Sequence, residues 1–340
     1  MAATLRDVAA LAGVSVKTVS NVVNGYEFVK DSTRERVSAA IRELGYQPNL
    51  AARNLRAGRT GTIGLVVPEL SFSYFAELAD AVLNAARQRD FVVLIEQTGG
   101  DREVEIDLLR GSRVSSLDGL LFSPLGMSSD DASYLNVDFP LVLLGERIFG
   151  GPTDHVTIRN VEGAAAATRH LLDAGRRSIA VLGAHRGETV GSAALRLEGY
   201  RSALAERGIP FSDDLVVYRE GWHRTDGAQS AGELLERAVP FDAIFALNDE
   251  LALGALRVLQ EKGIRVPEQV AVIGFDNLTE GQFALPSLST IDPGRPEIAE
   301  RAVATLLERI GDREGLVGGP RQIDAPFSLV VRESSSPSPS

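Results

Sequence analysis

Cysteine is absent from the 340 residues, which excludes disulfides, thiolate nucleophiles and thiolate metal sites. Lysine is scarce, with Lys17, Lys30 and Lys262 standing among 35 basic residues. No apolar run approaches the roughly 18 residues needed to span a bilayer, and the first residues lack the long apolar stretch of a signal peptide. These absences predict a cytoplasmic protein without membrane contact. The four histidines, His155, His170, His185 and His223, show no metal-ligand spacing. The phosphate-cradling G-x-x-x-x-G-K-[ST], a G-x-G-x-x-G after the first strand-like run and the nucleophile elbow G-x-S-x-G are all missing. An enzyme is therefore not expected, nor a cofactor, nor a metal. Asn277-Leu278-Thr279 is a glycosylation sequon only in a secreted chain and is discounted.

What is there suggests two or three folding units, because 340 residues exceed one simple core. Apolar residues make up 44% and charged residues 24%, an ordinary soluble mixture. The net charge of -11 is unevenly spread. Residues 1–59 hold nine basic and five acidic side chains, a surplus of four positive charges, so the remainder carries fifteen in deficit. A cationic head on an acidic body suits a chain whose head approaches phosphates while its body is kept off them.

The head reads as short helices. Thr4 can cap the first, with Asp7 as its capping-box acid, and Gly13 ends it. Ser15 caps a second that runs toward Asn24-Gly25, with Val19, Val22 and Val23 as its buried stripe. Ser32 and Glu35 form a capping box for a third, which Gly45 terminates. Pro48 disfavours helix at the residue before it, and Asn49 can cap a short fourth helix over Leu50–Leu55. From Thr62 onward, continuous apolar strands alternate with amphipathic helices as far as Phe275, in two sets. That alternation predicts parallel sheets covered on both faces, hence two doubly wound lobes. The Ser/Pro tail predicts disorder over 333–340.

The segment from Thr4 to Asn24 resembles the helix-turn-helix of the LacI/GalR repressor family. Two short helices joined by a Gly-containing turn let the second enter a major groove. The resemblance implies that Val16 and Lys17 read bases, and that Thr4, Ser15, Thr18, Ser20, Asn21 and Asn24 contact phosphates or base edges. Asn49 to Leu55 resembles the family's hinge helix, which implies DNA contacts from Asn49, Ala52 and Arg53 and a minor-groove wedge at Leu55. Leu55 could instead pack on the head's core.

The rest resembles the family's sensor, which is similar to periplasmic sugar-binding proteins. Arg196-Leu197-Glu198-Gly199-Tyr200 matches its Arg-x-x-Gly signature, Asn248-Asp249 its cleft pair and Asp276 its cleft acid. Trp222 falls where relatives place an aromatic over the ligand; Phe72, Phe75, Ser123 and Arg147 follow predicted strands, where open α/β sheets bind ligands. Other readings stay open. Arg196 and Asp276 could form a structural ion pair, Trp222 could sit at a domain interface, and Asn248-Asp249 could cap the helix that follows. Where many relatives carry Asp-Arg, this chain has Glu146-Arg147. The implied fold is α/β: a helix-turn-helix head over 1–46, a hinge over 47–60, and a two-lobed, doubly wound, periplasmic-binding-protein-like sensor over 61–332. The implied function is transcription regulation at a near-palindromic double-stranded operator, by a homodimer controlled by a small effector, a carbohydrate or alternatively a nucleobase or phosphoprotein.

Overall fold

The computed structural model describes residues 3–23, 26, 28–46, 59–111, 114–312 and 317–336. The proposed hinge helix, with Asn49, Ala52, Arg53 and Leu55, lies outside the described residues, as do Asn24 and the last four residues of the tail. The chain divides into two compact units, Met1–Gly61 and Thr62–Ser340.

In the first unit, α1 spans Leu5–Ala12, α2 Val16–Val23 and α3 Asp31–Leu44. Thr4 and Asp7 form the expected capping box, and Gly13 takes a left-handed φ of 63° that a Cβ would strain. The Ser15 hydroxyl accepts from the Thr18 amide at 3.1 Å and so caps α2. Val8, Ala9, Ala12, Val19, Val37 and Ala40 pack into one core. The Ser32–Glu35 capping box does not form. α3 starts earlier, at Asp31, because the Lys30 carbonyl accepts from the Thr33 and Arg34 amides and places Ser32 inside the first turn.

The second unit contains two six-stranded sheets of the same design. In the first lobe the order is β11-β5-β4-β3-β1-β2, with β1 Thr62–Val67, β2 Val92–Gln97, β3 Gly119–Phe122, β4 Leu141–Leu144, β5 Asp154–Ile158 and β11 Gln322–Ala325. In the second it is β12-β10-β9-β8-β6-β7, with β6 Ile179–Ala184, β7 Val216–Tyr218, β8 Ala243–Ala246, β9 Ala271–Phe275, β10 Ser289–Asp292 and β12 Ser328–Val330. All pairings are parallel except β10 with β12. Helices α4 Ser73–Arg87, α5 Arg102–Arg110 and α10 Arg295–Gly311 belong to the first lobe. Helices α6 Asn160–Asp173, α7 Ser192–Glu206, α8 Arg224–Glu236 and α9 Asp249–Glu261 belong to the second. The chain crosses between lobes three times, after β5, β10 and β11. Both lobes are thus doubly wound, and three strands of backbone form a natural hinge between them. Among the described residues, no helix is long and apolar enough to cross a membrane.

Three features escaped the pattern. β5 is wholly buried although it reads Asp-His-Val-Thr-Ile, because Arg309 and Arg321 neutralise Asp154. α10 carried a legible signal, Pro296 at its start with Ile298, Ala299, Ala302, Val303 and Leu306 on one face. The tail reading needs correction over 333–336. Ser334 and Ser335 are buried, and the Ser334 hydroxyl donates to the Val272 carbonyl at 2.7 Å and accepts from the Ser289 amide at 2.8 Å. Ser334 thus satisfies backbone groups of the second sheet, the Ser335 hydroxyl donates to Ser289 Oγ at 2.6 Å, and a segment bonded in this way does not stay disordered.

α6 and α7 approach closely because Gly199 carries no side chain. A Cβ there would lie 2.2 Å from the Val161 carbonyl oxygen and 2.8 Å from the Ala164 Cβ. Gly199→Ala should therefore destabilise the unit by about 2 kcal/mol, since overpacking against backbone outweighs the gain in helix propensity. A urea midpoint unchanged from wild type would show that the helices can part freely.

Candidate functional site

On the head, Lys17 is exposed on the first turn of α2 and Val16 keeps 42% of its surface exposed beside it. Val19, one turn below, is fully buried. α2 is thus held by one face and offers another. The Thr4 hydroxyl is engaged with Asp7, and those of Ser15 and Thr18 lie 2.8 Å apart, so these three shape the motif as well as facing solvent. Ser20 and Asn21 lie half-buried further along α2. Lys17→Ala should weaken specific DNA binding by about 1–3 kcal/mol and relax preference at one base pair. An equal loss on specific and random duplexes would reduce Lys17 to a phosphate contact.

The second unit encloses a cavity of about 270 Å³ between its lobes. It sits at the carboxyl ends of the parallel strands, where loops from both sheets converge. β1 leads to Phe72 and to Phe75 on α4; β3 leads to Ser123; β4 leads to Glu146 and Arg147. From the other lobe β6 leads to His185, β7 to Trp222 and β9 to Asp276, while α7 supplies Ser192 and Arg196.

Arg196 and Asp276 form the deepest polar pair, each about 3% exposed, with Nη2 and Oδ1 at 3.4 Å. The guanidinium also donates from Nε to Asn160 Oδ1 at 2.7 Å and from Nη1 to the Leu247 carbonyl, and it stacks 3.7 Å from the Phe275 ring centroid. Asp276 holds a φ of 116°, a strained backbone for a non-glycine residue. Its amide donates to the Ile291 carbonyl at 2.8 Å, which pins the carboxylate toward the cavity. Burial raises the Asp276 carboxyl to about 6, with Arg196 and Arg295 opposing the shift. Burial also raises the Tyr74 hydroxyl far above its ordinary value, next to Glu146 and Asp276, so it remains a donor. Glu146 accepts from Ser192 Oγ at 2.7 Å and from the Ile158 amide at 3.2 Å. Trp222 Nε1 donates to the Gly183 carbonyl at 2.7 Å, so the indole's polar atom is bonded to the protein.

Several contacts tie the lobes together across the cleft. Arg147 pairs with Glu188 at 2.7 Å, Ser192 bonds Glu146, and the Phe72 and His223 rings lie 5.0 Å apart. The Ser73 amide donates to Glu250 at 3.0 Å, and the Thr279 amide to Glu77 at 3.0 Å. The lobes are therefore closed on the cavity.

Seven residues anticipated from the sequence line this cavity: Phe72, Phe75, Ser123, Arg147, Arg196, Trp222 and Asp276. Asn248 and Asp249 do not, and that expectation needs correction. Asn248 caps α9 through the Leu251 amide at 2.8 Å, and its Nδ2 donates to the Trp222 carbonyl at 3.1 Å. Asp249 is fully buried and accepts from Thr290 Oγ1 at 2.6 Å and the Leu278 amide at 2.8 Å. Burial, with Asp276 nearby, pushes its carboxyl well above the usual range. The pair therefore holds the Trp222 and Asp276 loops in position without reaching the cavity. Tyr74, His185, Glu188 and Ser192 also line it without having been expected there, and so does Glu146, which the sequence marked only as a departure from Asp-Arg. Glu146 and His185 follow strand ends, the same signal that pointed to Arg147 and Ser123.

Comparison with known proteins adds two family models and three relatives. A family model described as bacterial regulatory proteins, lacI family, matches residues 4–49, and one described as periplasmic binding protein-like domain matches 168–335. The HTH-type transcriptional repressor PurR of Vibrio atlanticus (strain LGP32) is 33% identical over 315 residues, covering 92% of this chain and 93% of its own. The solved complex of the transcriptional regulator CelR with cellobiose is 33% identical, covers 98% of this chain and 99% of its own, and superposes with a TM-score of 0.72. The lac repressor dimer bound to operator and the anti-inducer ONPF is 27% identical over 98% of this chain and 99% of its own, with a TM-score of 0.77.

Proposed function

Because this chain belongs to the lacI family of bacterial regulatory proteins, and is thus a DNA-binding transcription regulator under small-molecule control, we propose that it is a homodimeric repressor switched by a small carbohydrate in the interlobe cavity. The observation that carries this reading is the composition of the cavity wall. Asp276 and Glu146 supply acceptors for hydroxyl protons, Tyr74 supplies a donor, and Phe72, Phe75 and Trp222 supply aromatic faces for the C–H side of a sugar ring. Arg196, on the same wall, pairs with Asp276. The complex of the relative CelR with cellobiose supports the same ligand class.

The switch follows from the closed lobes. A ligand that bridges both sheets favours closure over opening by its differential affinity, and linked DNA binding must change by the same factor. Lys17, Val16 and Asn21 read the operator, and Asn49, Ala52, Arg53 and Leu55 complete the contact. The test begins with an operator selected from random duplexes by the full-length protein. Anisotropy and melting are then followed with neutral mono- and disaccharides and with purine bases. A sugar should shift both the melting temperature and the operator affinity. A shift with a purine base and none with any sugar would refute the carbohydrate assignment.

The homodimer rests on β2, an edge strand of the first sheet. Val92, Leu94 and Ile95 are 59%, 56% and 37% exposed on it. Bare apolar edges invite pairing, and a second copy placed on a two-fold axis covers them while matching the symmetry of a near-palindromic operator. Leu94→Glu should shift the protein toward monomer in sedimentation velocity at micromolar concentration and weaken operator binding at least tenfold, because half-site binding loses its linked partner. An unchanged dimer would locate the interface elsewhere.

A further inference from the structure

Taking the cavity as the effector site proposed above, every basic side chain on its wall is already paired with a carboxylate of the protein. Arg147 is held by Glu188 at 2.7 Å and also donates to the Val190 carbonyl. His185 Nδ1 lies 2.5 Å from the same Glu188. Arg196 divides its donors among Asn160, Leu247 and Asp276. His223 faces Glu69 at 3.4 Å and Glu250 at 3.7 Å. The usual device for an anion is a guanidinium fork. All three guanidinium nitrogens of Arg196 are thus engaged within the protein, and Arg147, which uses Nη1 alone, has its charge balanced by Glu188, so neither brings a net positive charge to an anion.

A second device, the N-terminus of a helix, has a carboxylate of the protein beside it. α7 begins at the cavity after Gly191, and a Cβ on Gly191 would lie 1.8 Å from Glu188 Oε1. The protein's own carboxylate thus lies against the start of α7, where a ligand anion would otherwise dock. Glu146 and Glu220 add negative charge to the wall, and Glu146 meets only hydroxyls and an amide, not a cation. His185 Nε2 is buried without a partner and can bond a hydroxyl.

We infer that the cavity takes polyols that are uncharged or carry an amine, and that it rejects phosphorylated sugars, sugar acids and nucleotides. An anionic group on an otherwise matching sugar should weaken binding by about 100-fold.

The chain has a single tryptophan, Trp222, and it lies on the cavity wall. Its emission in the full-length protein therefore reads the local potential without any effector. At low ionic strength the iodide Stern–Volmer constant should fall about threefold or more below that of acrylamide, each normalised to free N-acetyltryptophanamide. Caesium should quench more than its normalised share, and added salt should erase both effects. Glu220→Gln should raise iodide quenching and leave acrylamide quenching unchanged. Iodide quenching as efficient as acrylamide overturns the inference, whatever the effector proves to be. A second arm measures protection of Trp222 from acrylamide by glucose, galactose and glucosamine against glucose 6-phosphate, galacturonate and AMP. Protection by an acidic member without its neutral parent overturns the inference too. Protection by hypoxanthine alone would refute the carbohydrate assignment yet support the charge rule, since that base is uncharged.

Discussion

Arg196→Ala should abolish the effector response and lower stability by about 3–5 kcal/mol, or roughly 10 °C in melting temperature. The size of the effect comes from what the substitution leaves behind. Arg196 is 3% exposed and opposes the buried Asp276 carboxylate, and it also satisfies Asn160 and the Leu247 carbonyl. Without it, a buried charge and two acceptors are left unpaired. The companion variant separates the two roles. Arg196→Ala combined with Asp276→Asn removes the stranded charge, so most of the lost stability should return while the effector response stays absent. A double-mutant cycle with no coupling would mean that the pair does not act as a unit. An Arg196→Ala protein that still answers its effector would place the ligand elsewhere.

Stability should depend on pH through Asp276 in a direction opposite to that of ordinary surface carboxylates. Its carboxyl is raised from 3.8 to about 6 by burial. The native state therefore binds this proton more tightly than the unfolded chain does. The associated stabilisation is complete below about pH 4 and is lost as pH rises through about 6, amounting to roughly 3 kcal/mol. Asp249, raised in the same direction, adds to the trend. Asp131 is held low mainly by Arg102; against the upward pull of burial, Asp154 is held low mainly by Arg309, and Glu280 by a backbone hydrogen bond and then Arg224; all three act in the opposite sense as pH falls. The clean measurement is therefore a difference: the urea midpoint of wild type minus that of Asp276→Asn from pH 4.5 to 7.5. This difference should decline across the interval. Effector affinity should rise over the same range, because the ionised carboxylate makes charge-assisted bonds to hydroxyl protons and the neutral acid makes only weaker, uncharged ones. A flat difference would show that Asp276 titrates as it does in the unfolded chain.

Much of the architecture was legible because it rests on local rules. The Thr4–Asp7 capping box, the Gly13 turn and the Val19 stripe follow from residues a few positions apart, and so do the strands from Ile63, Gly119, Leu141 and Ala243. Where polar residues are buried the local rule fails. β5 reads as a loop until Arg309 and Arg321, more than 150 positions away, neutralise Asp154. Ser334 reads as tail until Val272 and Ser289 bond it.

The same division holds at the site. Sequence alone determined which residues could meet a ligand: those following parallel strands, with Phe72, Phe75, Ser123 and Arg147 among them, because strand ends in doubly wound folds converge wherever the chain leaves them. It also determined the character of the head, since helix capping and a buried stripe are short-range properties. Tertiary structure decided which of those residues face the cavity and which support it. Asn248-Asp249 and Arg196-Asp276 look equivalent as motifs, yet Asn248 turns to cap α9 and Asp249 to hold Thr290, whereas Asp276 is turned toward the cavity by a φ of 116°. It decided the charge of the wall as well, because a cation's availability depends on its partner. Glu188 and Arg147 are 41 positions apart and meet across the cleft between the two lobes.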